Sequence, residues 1–174
     1  SWLKKAEFIE LDEIDVAEDP VRPELDLNWR KSFDRKIYGL KHNNDIEAIK
    51  QTRRLIDFMP LNNKEKPPKR KVFDQHNREE KSLDNLIPIN HNHPYDMHEL
   101  IRKTVEEGDF FEIQPSFAKN IIIGFARIEG SAVGIVANQP MVLAGCLDND
   151  ASRKAARFVR YCDCFNIPII TFVD

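Results

Sequence analysis

The chain has no apolar run near the roughly 20 residues that a bilayer-spanning helix requires, and its first residues lack the pattern of a signal peptide. An excess of one charge is missing too. Against 26 Lys and Arg stand 29 Asp and Glu, a formal net charge of -3. No broad field exists to gather nucleic acid, and none that favours a membrane surface. Cysteine is scarce: Cys146, Cys162 and Cys164 all fall late in the chain. Cys162 and Cys164 stand two apart, a spacing that points side chains in different directions on a helix. Reduced packing cysteines in a reducing compartment are therefore expected, not a redox pair.

Glycine is also sparse, 6 in 174 residues, and none is arranged as a phosphate loop. Gly124-Phe125-Ala126-Arg127 holds one glycine, and a turn to a second strand follows where a helix would be needed. Ser116, Ser131 and Ser152 lack the strand-to-helix elbow that exposes a nucleophile. His91 and His93, with Asp96 and His98 beyond them, have no cysteine or second acidic cluster nearby. They read as polar loop residues ahead of a helix, and no metal is expected. Asp109 and Glu112 are close, with no sign that either is a buried base. The 11 phenylalanines follow core periodicities and lack a cationic groove for stacked bases.

What is present is 41% hydrophobic content, enough for one modest core plus less compact material. Residues 1–42 are mixed and acidic, with short apolar clusters such as Phe8, Ile9 and Leu11. From Pro20 to Leu40 a hairpin and a short helix with a strand both fit. A helix follows, capped by Asn44 with Glu47 three residues on, carrying an apolar stripe of Ile46, Ile49, Ile56 and Met59. Lys50, Arg53 and Arg54 are expected outward, and Pro60 stops the helix. Residues 61–86 are too rich in Lys, Arg, Glu, Asn and Pro to form a core, so they read as a linker or extended arm with few intrachain contacts. Its run Lys69-Arg70-Lys71 reads as a solvated basic patch.

Order returns at Asp96, which can cap a helix with Glu99 at its third position. Leu100, Ile101, Thr104 and Val105 form its expected buried side, and Gly108 stops it. Phe110, Phe111 and Ile113 suit a short strand. Ile121–Phe125 and Ala132–Ala137, joined at Glu129-Gly130, read as a hairpin with one side strongly buried. The helix Asp148–Phe165 buries Ala151, Ala155, Phe158, Val159 and Cys162, and leaves Arg153, Lys154, Arg157 and Arg160 outside. Pro168 then opens the strand Ile169–Val173, which a crossover places in the same sheet. Gly124, Gly134 and Gly145 are read as close-packing positions.

Several segments carry a resemblance in order: Asp109-Phe110-Phe111-Glu112-Ile113, Ala118-Lys119-Asn120-Ile121-Ile122, Gly124-Phe125-Ala126-Arg127, Asn138-Gln139-Pro140 and Gly145-Cys146-Leu147-Asp148. It continues through Ala156-Arg157-Phe158-Val159-Arg160 and Phe165-Asn166-Ile167-Pro168 to Ile170-Thr171-Phe172-Val173-Asp174. From about Asn44 onward the sequence resembles the carboxyltransferase beta subunits of biotin-dependent acyl-CoA carboxylases, most of all the propionyl-CoA type.

The resemblance implies an α/β fold: a partial crotonase-like carboxyltransferase domain, truncated after its first strand-strand-helix-strand unit. It divides the chain into an unassigned segment 1–42, the terminal helix of a first domain at 43–60, an interdomain arm at 61–88, and the beginning of a second domain at 89–174. It also implies carboxyl transfer from carboxybiotin to the α-carbon of propionyl-CoA. Acetyl-CoA or methylcrotonyl-CoA transfer, and methylmalonyl-CoA decarboxylation or transcarboxylation, are the related alternatives. In this family glycine-rich loops supply the oxyanion donors. None of those loops matches a residue here, so no catalytic residue is assigned and this chain alone is expected to be inactive. Asn138, Gln139, Pro140, Gly145 and Cys146 are carried over as cleft-lining substrate-binding positions. Biotin would arrive on a separate carrier domain, and ATP and bicarbonate would be used by a partner biotin carboxylase. The implied partners are that alpha subunit, the acyl-CoA and other beta subunits. The implied location is the cytoplasm in a bacterium or the mitochondrial matrix in a eukaryote. A non-catalytic binding or scaffold module is the reading of another class.

Overall fold

The structure, a computed structural model, describes residues 45–75, 77–90 and 93–174. The readings of residues 1–42, of Asn44 as a cap and of His91 lie outside the described residues.

Helix α1 spans Asp45–Ile56, but its expected apolar stripe does not face the core. Ile46, Ile49 and Ile56 are exposed, and the chain buries Phe58 with Leu55 and Met59 packed beside it. The reason is that Phe58 and Met59 follow the last residue of the helix in a turn, closed by the Phe58 N–H to the Leu55 carbonyl at 3.1 Å, and it is this turn that enters the core. Arg54, expected outward, pairs instead with Asp109 and lies over the Phe111 ring at 5.3 Å. The exit of α1 is held by Arg127, which is buried, donates from Nη2 to the Asp57 carbonyl at 2.9 Å and stacks 4.1 Å from the Phe58 ring.

The sheet has four strands in the order β1-β2-β3-β4: Phe111–Glu112, Ile121–Ile128, Ser131–Asn138 and Ile169–Phe172. β1, β2 and β3 pair antiparallel, and β4 adds to β3 in parallel after the crossover through helix α3, Asn149–Cys164. The hairpin register places Ile128 opposite Ser131, so the connection is the two-residue Glu129-Gly130 turn. The expected hairpin is therefore present, with one correction: both of its faces are buried. Ile122, Ala126, Val133, Ile135 and Ala137 pack with Met97, Ile101 and Val105 of the α2 region, Met97–Thr104 being α2. Ile123, Phe125 and Ala132 pack with Phe58, Phe158 and Cys162 on the other side. Alternate residues face opposite ways on a strand, so a sheet with helices on both sides turns β2 into the continuous apolar run seen in the sequence.

Both helix starts follow their caps. Asp96 accepts from the His98 backbone N–H, and Asp148 accepts from Ala151 at 2.8 Å. The second half of the expected capping box is replaced, because the Glu99 carboxylate pairs with Lys103 one turn along at 2.6 Å. Thr104 is exposed, and Met97 takes the buried place that the sequence reading had given it. On α3, Val159 is exposed where it was expected buried. Gly134 is a packing glycine: a Cβ there would lie 2.8 Å from Cys162 Sγ, so α3 rests directly on the β3 backbone.

Residues 61–86 are largely exposed and irregular apart from a short helical turn at Lys81–Asn85. They are fastened to the rest of the chain at a few points. The Arg70 N–H donates to the Gly130 carbonyl at 2.9 Å, and Arg78 Nη2 donates to the carbonyls of Lys103 and Val105. Asp74 accepts from the Glu107 N–H at 3.0 Å, and Arg70 pairs with Asp57, so the basic run is not simply solvated. Hydrogen exchange should be fast through most of this stretch, slower at Arg70, and slowest at Ile122 and Phe158. Uniform protection across all of them would contradict an arm held only at points.

Candidate functional site: the cleft at the strand ends

β3 and β4 run parallel, so their carboxyl ends lie at the same edge of the sheet, where open α/β sheets carry ligands. A cleft of about 490 Å³ opens there. One wall is Ile87, Pro88, His93, Pro94 and Tyr95; the other is Pro140, Met141 and Ala144, with Asp174 completing the lining.

Of the five positions singled out from the sequence, Pro140 lines this cleft and the others build the turn around it. Asn138 ends β3, and its Oδ1 accepts from the Asp174 N–H at 3.0 Å, tying the ends of β3 and β4 together. Gly145 has φ +73, and a Cβ there would lie 2.7 Å from Asn138 Nδ2, so a side chain would be strained and would push the Asn138 amide aside. Cys146 is an exposed free thiol whose backbone carbonyl accepts from Asn120 Nδ2 at 3.0 Å. Gln139 is buried behind the wall. Its Oε1 accepts from the N–H groups of Met97 at 3.2 Å and Met141 at 3.4 Å, while Nε2 donates to Asp96 Oδ1 at 2.7 Å. It thus joins the first turn of α2 to the turn after β3.

Tyr95 went unread in the sequence, and two groups are placed otherwise than expected: His98, read as a loop residue, lies in the first turn of α2, and Lys154 lies inside. Tyr95 donates its hydroxyl to Asp174 Oδ1 at 3.0 Å, and burial together with that carboxylate pushes its phenol up to about 12. His98 bridges two carboxylates, Nδ1 to Asp96 at 2.8 Å and Nε2 to Glu112 at 3.1 Å. The Glu112 hydrogen bond raises its pKa above 6.5 against the opposing effect of burial. Lys154 is the largest departure: expected on the surface of α3, it is 2% exposed. Its Nζ donates to the carbonyls of Phe117 at 2.7 Å, Ile121 at 2.8 Å and Ala118 at 3.3 Å, and burial pulls its pKa down to about 8. The turn it holds carries Asn120, whose carbonyl accepts from Gln139 N–H at 3.0 Å, so Lys154 supports the cleft from below. Its sequence signal was position: 151, 154, 158 and 162 share a face, and charge alone argued against it.

Six of the nine lining residues offer no spare backbone donor: Pro88, Pro94 and Pro140 have no N–H, and the N–H groups of His93, Met141 and Asp174 already donate within the chain. Among the described residues no group of three His, Cys, Asp or Glu is arranged to hold a metal ion, and no helix is long and apolar enough to cross a membrane.

A mixed sheet covered by helices, built through a strand-strand-helix-strand unit with a cleft at its carboxyl ends, is an α/β architecture, and its likeness to solved carboxyltransferases makes it part of an α/β carboxyltransferase domain of the crotonase-like kind. Residues 37–174 match the Carboxyl transferase domain, and the chain belongs to that family. It is 66% identical over 131 residues to the propionyl-CoA carboxylase beta chain of Roseobacter denitrificans, covering 75% of this chain and 26% of that one. It is 50% identical over 141 residues to the methylmalonyl-CoA decarboxylase subunit alpha of Veillonella parvula, covering 79% and 28%. Among solved structures it is similar to transcarboxylase 12S, a hexamer with methylmalonyl-CoA and methylmalonic acid bound, with a TM-score of 0.70 and 41% identity over 73% of this chain and 25% of that one. The chain thus spans about a quarter of the length of the relatives it matches.

Proposed function

We propose that this chain supplies part of the carboxyltransferase component of a biotin-dependent acyl-CoA carboxylase, which moves a carboxyl group from carboxybiotin to the α-carbon of propionyl-CoA and yields methylmalonyl-CoA. The observation that carries this reading is the 66% identity to a propionyl-CoA carboxylase beta chain. A methylmalonyl-CoA decarboxylase or transcarboxylase subunit is the second reading, favoured by the likeness to those two proteins. In either case residues 43–60 end a first domain, 61–88 cross to a second, and 89–174 begin that second domain. The acyl-CoA, an alpha subunit with biotin carboxylase and carrier, and further beta subunits are the partners. ATP and bicarbonate are consumed on the alpha subunit.

Carboxyl transfer gathers negative charge on the thioester and biotin carbonyl oxygens, and one missing hydrogen-bond donor costs about 3 kcal/mol. No glycine-rich loop of the kind that supplies such donors in this family matches a residue here, so no residue of this chain is assigned to hold biotin or the enolate. What the chain contributes is the cleft border formed by Asn138, Gln139, Pro140, Gly145 and Cys146.

The test is a graft. Residues 44–174 would replace their counterpart in the Roseobacter denitrificans beta chain, and the assembled enzyme would be assayed for methylmalonyl-CoA with a carboxylated biotin carrier and propionyl-CoA. Turnover within about tenfold of the parent is expected, a barrier change of about 1.4 kcal/mol. A chimera that folds and assembles but is inactive on propionyl-CoA would overturn the reading, and carboxyl transfer to or from another acyl-CoA would select the second. The 174-residue chain assayed alone should give no product above a protein-free control.

A further inference from the structure

We propose that His98 is a pH-dependent switch that decides which acceptor the side-chain amide of Gln139 serves, and so how firmly the turn after β3 is held against α2. The proposal does not depend on the carboxyltransferase reading.

The geometry starts from Gln139. Its Oε1 receives two backbone N–H groups, from Met97 and Met141, which fixes the amide orientation: turned over, its NH2 would face two donors. Nε2 then has two neighbours within reach, Asp96 Oδ1 at 2.7 Å and His98 Nδ1 at 3.0 Å. An NH2 group has two hydrogens, but Nδ1 accepts one only while the imidazole is neutral at that nitrogen.

Two states follow. In the neutral ring, Nε2–H donates to Glu112, and the bare Nδ1 meets Asp96 Oδ1 as acceptor against acceptor; the Gln139 NH2 group offsets this by donating one hydrogen to each, and is held by both. Protonation places a hydrogen on Nδ1. That N–H turns to Asp96 Oδ1, at 2.8 Å, and now meets Gln139 Nε2 as donor against donor. Gln139 keeps Asp96 alone, and shares that oxygen with the His98 ring and the His98 backbone N–H. The turn carrying Met141 is therefore held more loosely in the protonated state.

The groups facing the ring come from each element around it. Asp96 precedes α2, Glu112 lies on β1 and Gln139 follows β3; Lys154 of α3 acts on Glu112 from beyond. On α2 itself Glu99 and Lys103 pair with each other. Two carboxylates against one imidazole favour its charged form, so the switch works above the ordinary histidine midpoint of about 6.5.

The experiment is an NMR titration of the full nitrogen-15-labelled chain from about pH 3 to pH 9, following the His98 ring nitrogens and the Gln139 side-chain amide across the carboxylate and histidine ranges. The Gln139 signal should move with the midpoint of His98, above about 6.5, and the Met141 amide should be less protected on the acid side. In Glu112→Gln the shared midpoint should fall, since the neutral amide no longer favours the charged ring. A Gln139 signal that stays flat while His98 titrates overturns the proposal. So does a Gln139 midpoint below the ordinary carboxylate value of about 4, which would assign the movement to Asp96. Should Glu112→Gln not fold, the titration of the unaltered chain decides alone.

Discussion

Replacing Phe158 with alanine should lower the unfolding free energy by about 3 to 5 kcal/mol, the usual cost of emptying a buried aromatic site. Phe158 is buried on α3, with its ring centroid 5.0 Å from that of Phe125 in the middle of the sheet. Beneath it is Gly134, whose missing side chain leaves the ring 3.2 Å from where a Cβ would stand. The cavity left by the mutation is thus floored by strand backbone, which has no side chain to move into it. Urea unfolding of the full chain would show a lower midpoint with the same dependence on urea. A loss below about 0.5 kcal/mol with native structure retained would remove Phe158 from the core.

Lys154→Ala should cost about 3 kcal/mol, because the carbonyl of Ile121 would be left buried, and that of Phe117 partly buried, without their donor. A surface lysine on the outside of a helix would lose within about 0.5 kcal/mol, so the measurement separates the two placements. The pH dependence gives an independent check. Burial lowers the folded pKa of Lys154 to about 8 from 10.5. Between those values the unfolded chain binds the proton that the folded chain has released, and stability from this group therefore rises with pH across that window. The neutral amine still carries two N–H donors, enough for the two nearest carbonyls. The difference between the unaltered chain and Lys154→Ala should widen from about pH 8 toward pH 10. A difference that narrows there would show that the ammonium, not the amine, is the form the site favours.

Much of the architecture was legible because local rules and burial agreed. Asp96 and Asp148 each precede an amphipathic run, and each caps a helix. The apolar runs on either side of Glu129-Gly130 form the hairpin, and Ile169–Phe172 joins it in parallel through α3. α1 misled for a physical reason. An apolar stripe on a helix is buried only where something covers it, so Ile46 and Ile49 stand exposed while Phe58, in the turn after the helix, goes inside.

The candidate site was legible only as a place. Asn138-Gln139-Pro140 marked the end of a strand, but nothing local shows that Gln139 reaches α2, that Tyr95 meets Asp174, or that His98 stands between Asp96 and Glu112. Those partners lie 14 to 79 residues apart apart from Asp96, and a single chain records no pairing over such separations. By itself the sequence determined the periodicities, the caps, the turn and the family pattern, because each depends on neighbours within one helical turn or one strand. The tertiary structure alone decided that Lys154 is buried and Arg54 is paired. A charge goes inside only where acceptors converge from elsewhere in the chain, and for Lys154 these are the carbonyls of residues 117, 118 and 121.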